Sequence, residues 1–205
     1  MDRMQGLSDE HLLPLIAAGD AAAFEILYGR RQAGIYRFAL RMCGCRSLAE
    51  DVTQDVFIAL MRDARQYDSS KGSVAAYMYG VARNRVLRVL QRDRAFNSIA
   101  EDQSGEDSSL DEALILRDDP VDKLARSEII ASVHRAILAL PLHYREVVVL
   151  CNLQEMNYAE AAEVLGCAVG TVRSRLHRAR ELLIRKLREE PGSDVSETAT
   201  RSVCF

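Results

Sequence analysis

Arginine is the residue type that dominates the chemistry of this chain. Between Thr171 and Arg188 stand Arg173, Arg175, Arg178, Arg180, Arg185, Lys186 and Arg188, opposed only by Glu181. A guanidinium binds a guanine edge or a phosphate through paired hydrogen bonds, so such a cluster points to a polyanion. Projected on a helix at about 100° per residue, Val172, Leu176, Ala179, Leu183 and Leu187 form one apolar stripe. Ser174, His177, Arg178, Glu181 and Arg185 fall opposite, flanked by Arg173, Arg175 and Arg180. Glu181 would repel phosphate, which makes the N-terminal half the reading end. The bland alternative is a solvated helix with ordinary surface arginines.

The elements upstream fit the first possibility. Asn157 can cap a short helix from Tyr158 to Leu165, with Glu160 placed to bond back to the cap. Gly166 is a natural terminator, Cys167-Ala168-Val169-Gly170 is a short turn, and Thr171 is expected to open the basic helix. Short helix, glycine turn and basic helix make a helix-turn-helix, whose second helix enters the major groove.

A second basic stretch, Arg83 to Arg94, carries Arg83, Arg85, Arg88, Arg92 and Arg94 against Asp93. On a helix, Val86, Leu87, Val89 and Leu90 share one face; Asn84, Arg85, Arg88, Gln91 and Arg92 share the other. Arg83 falls on the apolar side, where its stem would snorkel. Tyr77 and Tyr79 just upstream are aromatics able to stack on unpaired bases, or else ordinary boundary residues.

The segment Leu48 to Gln66 presents a different surface. Leu48, Val52, Val56, Ala59 and Leu60 form its core stripe, while Asp51, Asp55, Ile58 and Arg62 lie away from it beside Gln54. Carboxylates next to an exposed isoleucine suit a protein partner better than DNA. A solvated face, with Ile58 in a broad core, is the alternative.

Catalytic and metal chemistry find little support. No nucleophile–histidine–carboxylate set, phosphate-binding glycine pattern or metal-ligand spacing occurs, so no cofactor and no metal are expected. Cys43, Cys45, Cys151, Cys167 and Cys204 contain no CxxC pair. They read as reduced apolar fillers, with a thiol switch as the alternative.

The chain has 205 residues, 48% apolar and 28% charged, with a net charge of −3. That composition suits a soluble globular protein of one or two domains. No apolar run approaches the length of a membrane span. The first residues lack a signal-peptide pattern, so a cytoplasmic location is expected. Helical spacing and scarce glycine and proline predict an all-α fold in two small domains. A helical block covers residues 8–96, with a break at Gly19-Asp20, an interruption at Gly44, Ser47 as N-cap of the next helix and a polar loop from Asp68 to Ser73. Residues 97–120 are acidic and serine-rich, with Glu101, Asp102, Glu106, Asp107, Asp111, Glu112, Asp118 and Asp119, and read as a linker. A second helical block spans 121–190, and 191–205 reads as a disordered tail.

Four segments carry a family resemblance. Ala49-Glu50-Asp51-Val52-Thr53-Gln54-Asp55-Val56-Phe57 resembles the core-binding helix of region 2 in the extracytoplasmic-function sigma factors, two-domain members of the bacterial sigma-70 family. Ala76-Tyr77-Met78-Tyr79-Gly80-Val81-Ala82-Arg83-Asn84 resembles the strand-opening, minus-10 reading helix of that family. Leu140-Pro141-Leu142-His143-Tyr144-Arg145-Glu146-Val147-Val148 resembles the start of region 4, and Tyr158-Ala159-Glu160 through Gly170-Thr171-Val172-Arg173-Ser174-Arg175-Leu176-His177-Arg178-Ala179-Arg180 its minus-35 reader. Tyr77 stands where many members carry tryptophan, Thr53 where an aliphatic is usual, and Cys167-Ala168 where Ile-Pro is commoner.

The resemblance implies a subunit that joins core RNA polymerase, directs it to promoter DNA and helps open the duplex. Asp51, Gln54, Asp55 and Ile58 would dock on the clamp helices of the largest polymerase subunit. Tyr77, Asn84, Arg85, Arg88 and Arg92 would read the minus-10 element, with the loop Tyr67 to Ser73 offering a pocket for a flipped base. Arg173, Ser174, Arg175, His177 and Arg178 would enter the major groove at minus 35. The acidic linker would run through the channel that later holds RNA, and an anti-sigma factor is an expected partner. A two-domain helix-turn-helix regulator is the rival reading; it leaves the Asp51/Asp55 surface unexplained.

Overall fold

The computed structural model describes residues 6–68, 70, 72–97 and 120–189. Their regular structure is helical: α1 (Asp9–Ala17), α2 (Ala21–Cys43), α3 (Arg46–Asp63, tightening into a 3-10 turn at Ala64–Gln66), α4 (Val74–Asn97), α5 (Pro120–Leu138), α6 (Leu142–Val148, widening into a π-helical segment at Val149–Leu153), α7 (Tyr158–Leu165) and α8 (Val169–Glu189). The linker residues 98–119 and the tail lie outside the described residues.

Local chemistry sets the boundaries. Asp20 caps α2, its carboxylate accepting from the N–H groups of Ala22 (2.9 Å) and Ala23 (3.1 Å). Gly44 ends the same helix at φ 71°, a left-handed conformation that glycine adopts without cost, and its N–H bonds to the Leu40 carbonyl. The expected Ser47 cap is corrected: α3 begins at Arg46 behind Cys45, with no side-chain cap bond. Cys45 is already extended as it leaves the glycine turn, so the helix starts before Ser47 is reached. Thr53, the polar residue at a usually aliphatic place, is buried in α3 and satisfies its hydroxyl on the Ala49 carbonyl at 2.7 Å.

Helices α1 to α4 close over Leu12, Leu13, Leu27, Ile35, Phe38, Met42, Val56, Leu60 and Met78, and α5 to α8 over Ile137, Leu150, Val172, Leu176 and Ala179. The two halves meet: α2 packs on α5, and α4 packs on α7. At this seam one sequence expectation is revised and one open alternative is resolved. Arg83 does not snorkel; its Nε donates to the buried Glu146 carboxylate of α6 at 2.6 Å. Tyr79 is not offered to a base; it is buried edge-on to Phe38, and its hydroxyl donates to the Gln154 side chain at 2.9 Å.

The cysteines of the described residues are free thiols. Burial pushes Cys43 and Cys151 up to about 11, whereas the Ser47 hydroxyl beside Cys45 draws that thiol below its ordinary value. A thiol at that raised value is only about one part in a thousand thiolate at pH 8. Iodoacetamide at pH 8 should therefore label Cys45 well before Cys43 and Cys151, as read by peptide mass spectrometry. Equal labelling rates for Cys43 and Cys45 would contradict the packing described.

Candidate nucleic-acid interface

The helix-turn-helix is built as its residues dictate. The Asn157 side chain accepts from the N–H groups of Ala159 and Glu160, both at 3.0 Å, and the Glu160 carboxylate accepts from the Asn157 N–H at 3.2 Å. This reciprocal box satisfies backbone donors that the first turn of α7 leaves without helical partners. Gly166 ends α7 at φ 62°, and its N–H returns to Ala162 and Glu163. The basic helix starts two residues earlier than expected, at Val169 rather than Thr171. The carbonyl of Ala168 already accepts from the N–H groups of Thr171 and Val172, so Val169 and Gly170 belong to the first turn.

Helix α8 buries Val172, Leu176, Ala179 and Leu183 against α6 and α7, with Leu187 partly covered. That stripe turns Arg173, Ser174, His177, Arg178, Glu181 and Arg185 to solvent and leaves Arg175 half-buried. His177 Nε2 lies 3.4 Å from the Glu181 carboxylate, one helical turn away. Arg180 is half-buried, and its inward Nε meets no acceptor among the described residues. Sequence reasoning missed Tyr158. This exposed ring, at the first position of α7, lies under the Arg173 guanidinium at 5.8 Å, within cation–π range. An aromatic beside the cap of the first helix was the available signal.

On α4, Asn84, Arg88 and Arg92 are exposed and Arg85 is half-buried. Arg85 reaches Asp55 of α3 at 3.4 Å, which joins the face expected to read DNA to the face expected to meet protein. Tyr77 is half-buried and donates to Asp63 at 2.9 Å. Arg62 grips the same carboxylate at 2.7 and 3.0 Å. The Arg62 and Tyr77 hydrogen bonds hold Asp63 down at about 2, while burial and then Asp63 push Tyr77 up to about 12. Tyr67 stacks edge-on against Tyr77 with 6.3 Å between centroids, and its hydroxyl closes the following loop on the Gly72 carbonyl at 2.7 Å. Gly72, at φ 130°, makes that closure possible.

Helix α3 turns Asp51, Gln54 and Ile58 outward and leaves Asp55 partly exposed; Ile58 is 50% exposed. Met61, 48% exposed and one turn on, extends the apolar patch and was missed by the sequence reading although it lies three residues from Ile58. Phe57 faces inward between Phe24 and Tyr28 of α2 and fixes the roll of the helix.

The structure thus gathers three surfaces: the basic outer face of α8, the basic face of α4 edged by held tyrosines, and an acidic-apolar patch on α3. Sigma-70 region 2 matches residues 27–96, and Sigma-70 region 4 matches residues 130–183. The sigma-H factor of Pseudomonas aeruginosa is 32% identical over 184 residues, covering 87% of this chain and 93% of that protein. The extracytoplasmic-function sigma-E factor of Haemophilus influenzae is 33% identical, covering 88% and 96%. SigW of Bacillus subtilis is 28% identical, covering 85% and 94%. The chain belongs to the extracytoplasmic-function sigma factors of the sigma-70 family. Its fold is that of CnrH solved with the cytosolic domain of CnrY (TM-score 0.65, 24% identity, 89% of this chain and 98% of that one). It also matches the sigma factor RpoE solved with the anti-sigma factor NepR from Bartonella quintana (TM-score 0.64, 20% identity, 82% and 98%). Among the described residues no helix is long and apolar enough to cross a membrane.

The tyrosine arrangement makes its own prediction. Asp63→Asn removes the negative charge that holds the Tyr77 proton, so the Tyr77 titration should fall toward the ordinary tyrosine value while the burial contribution persists. Tyrosine ring-carbon resonances followed from pH 9 to 12 check this. An unmoved Tyr77 would mean that its hydroxyl does not reach Asp63.

Proposed function

We propose that this sigma factor docks on core RNA polymerase through α3, reads the minus-35 element with the outer face of α8 and the minus-10 element with the polar face of α4. The observation that carries the reading is the α3 surface. Asp51, Gln54, Ile58 and Met61 stand in solvent on a helix whose opposite side is fully packed. An apolar side chain left half-exposed between carboxylates fits a protein partner rather than DNA, and a helix-turn-helix regulator acting alone has no use for it. Region 2 would run over residues 8–96 and region 4 over 121–190, with 97–120 as linker and 191–205 as tail. The linker's carboxylates would follow the polymerase channel that later holds RNA. The protein would work in the cytoplasm without catalysis, cofactor or metal, and an anti-sigma factor would restrain it.

Division of labour within α8 follows from exposure. Exposure of Arg178, one turn beyond Ser174, supports a guanine edge as its target; the half-buried position of Arg175 on the flank supports phosphate as its own. Ser174 turns its hydroxyl back onto the Thr171 carbonyl at 3.1 Å, so it must rotate to donate to DNA. Tyr158 would stiffen Arg173 for the same groove.

Two experiments test the assignment. Asp51→Arg combined with Asp55→Arg should abolish co-elution with core polymerase while leaving helicity unchanged and lowering melting only slightly, because the Asp55–Arg85 pair it gives up is partly exposed; retained co-elution would remove α3 from the interface. In a promoter library selected with reconstituted holoenzyme, Arg178→Ala should relax preference at one minus-35 position, a loss of about 1–3 kcal/mol of discrimination. Arg175→Ala should instead weaken all sequences alike and reduce the salt slope by about one unit. Full minus-35 preference in the Arg178 variant would pass the reading role to Arg173 or Ser174.

A further inference from the structure

Cys43, Gly44 and Cys45 take no part in the three surfaces described, yet they gather two thiols of opposite character at one turn. Cys45 is exposed and Cys43 half-buried. An extended chain sets Cα atoms two residues apart roughly 7 Å from each other, about the limit beyond which a disulfide does not close. Gly44 is not extended; at φ 71° and ψ 5° it folds the chain back on itself. The Cys43 sulfur consequently lies over Cys45, accepting from its N–H and donating to its carbonyl, both at 3.4 Å. Leu138 braces the turn, since a Gly44 Cβ would come within 2.9 Å of it.

We propose that Cys45 and Cys43 form a hydroperoxide-reactive thiol pair, in which Cys45 is oxidised first and Cys43 resolves it to a disulfide across Gly44. This chemistry does not depend on the sigma-factor reading. Cys45 is set up to react first. It occupies the N-cap of α3, an 18-residue helix, where free N–H groups and the helix dipole favour an anion. The Ser47 hydroxyl lies 3.3 Å from its sulfur. That hydroxyl, and after it the Leu48 N–H, draws the thiol below its ordinary value.

Cys43 suits the second step and not the first. Burial pushes it up to about 11, so at neutral pH it is a protonated thiol that a hydroperoxide leaves alone. Its thiolate, once formed beside an electrophilic sulfur, is the stronger nucleophile for its high proton affinity. The Arg145 guanidinium, anchored next door on the Met42 carbonyl at 2.6 Å, offsets part of the burial and favours that anion. Proximity supplies the rest, because groups held in contact react as though at very high concentration.

The two steps balance on named groups. The Cys45 thiolate attacks the terminal oxygen of a hydroperoxide. A sulfur–oxygen bond forms, the oxygen–oxygen bond breaks, and the departing alkoxide takes up the proton that Cys45 released, leaving as an alcohol (as water when the oxidant is hydrogen peroxide). Cys45 is then a sulfenic acid, oxidised by the two electrons that the peroxide has gained. Cys43 next gives up its proton and attacks the Cys45 sulfur. The sulfur–sulfur bond forms, the sulfur–oxygen bond breaks, and hydroxide leaves with the Cys43 proton as water.

Full-length protein treated with a small excess of hydrogen peroxide at neutral pH tests the pair by mass spectrometry. Trypsin cuts after Arg41 and Arg46, releasing residues 42–46 with both thiols and no other. The parent should give that peptide lighter by two hydrogens, at least about tenfold faster than buried Cys151 is oxidised, and dithiothreitol should restore its mass. Two variants separate the roles, each first shown by circular dichroism to be folded. With dimedone present, Cys43→Ser should accumulate the sulfenic-acid adduct on Cys45, whereas Cys45→Ser should leave Cys43 unmodified at the same dose. A peptide that stays reduced, a dimedone adduct on Cys43, a Cys45 disulfide to a cysteine outside the peptide, or Cys45 over-oxidised in the parent without a disulfide would each overturn the pair.

Discussion

The buried pair between Arg83 and Glu146 joins residues from opposite halves of the chain, and the placement of the functional surfaces depends on it. Arg83 lies between Ala82 and Asn84, so it fixes α4 one residue from its exposed polar face. Glu146 lies in the second half of α6, the helix that leads into α7 and α8. A carboxylate that is 5% exposed needs its guanidinium; separation in a dry environment would leave an uncompensated charge. The pair therefore holds the two halves in close register.

Outside that joint, each half is ordinary helical packing that aims its side chains by elimination. Val172, Leu176, Ala179 and Leu183 have only one way to be buried, and Arg178 faces outward as a consequence. Phe57 against Tyr28 does the same for Ile58 and Asp51 on α3. The Arg62–Asp63–Tyr77 set adds positional control at the edge of α4, since a carboxylate held at about 2 stays charged at any physiological pH and keeps the tyrosine as its donor.

The parts legible in the sequence were those encoded locally. Asn157 with Glu160 announced α7, Gly166 its end, and apolar spacing the inner face of α8, because capping and amphipathicity act over a few residues. What escaped depends on distant partners. Arg83 meets a residue 63 positions away and Tyr79 one 75 positions away, so periodicity alone made the first a snorkelling group and left the second open between base stacking and a boundary role. Ser47 was a sound cap by residue type, but the left-handed Gly44 starts α3 at Arg46 before it. Arg173 over Tyr158 needed the angle between two helices, which no linear pattern gives.

The most direct test is a photo-crosslink at exposed Ile58 of α3. With a benzophenone side chain in its place, irradiation after mixing with core RNA polymerase is predicted to join this protein covalently to a polymerase subunit. A holoenzyme that forms yet gives no adduct at Ile58 would contradict docking through α3.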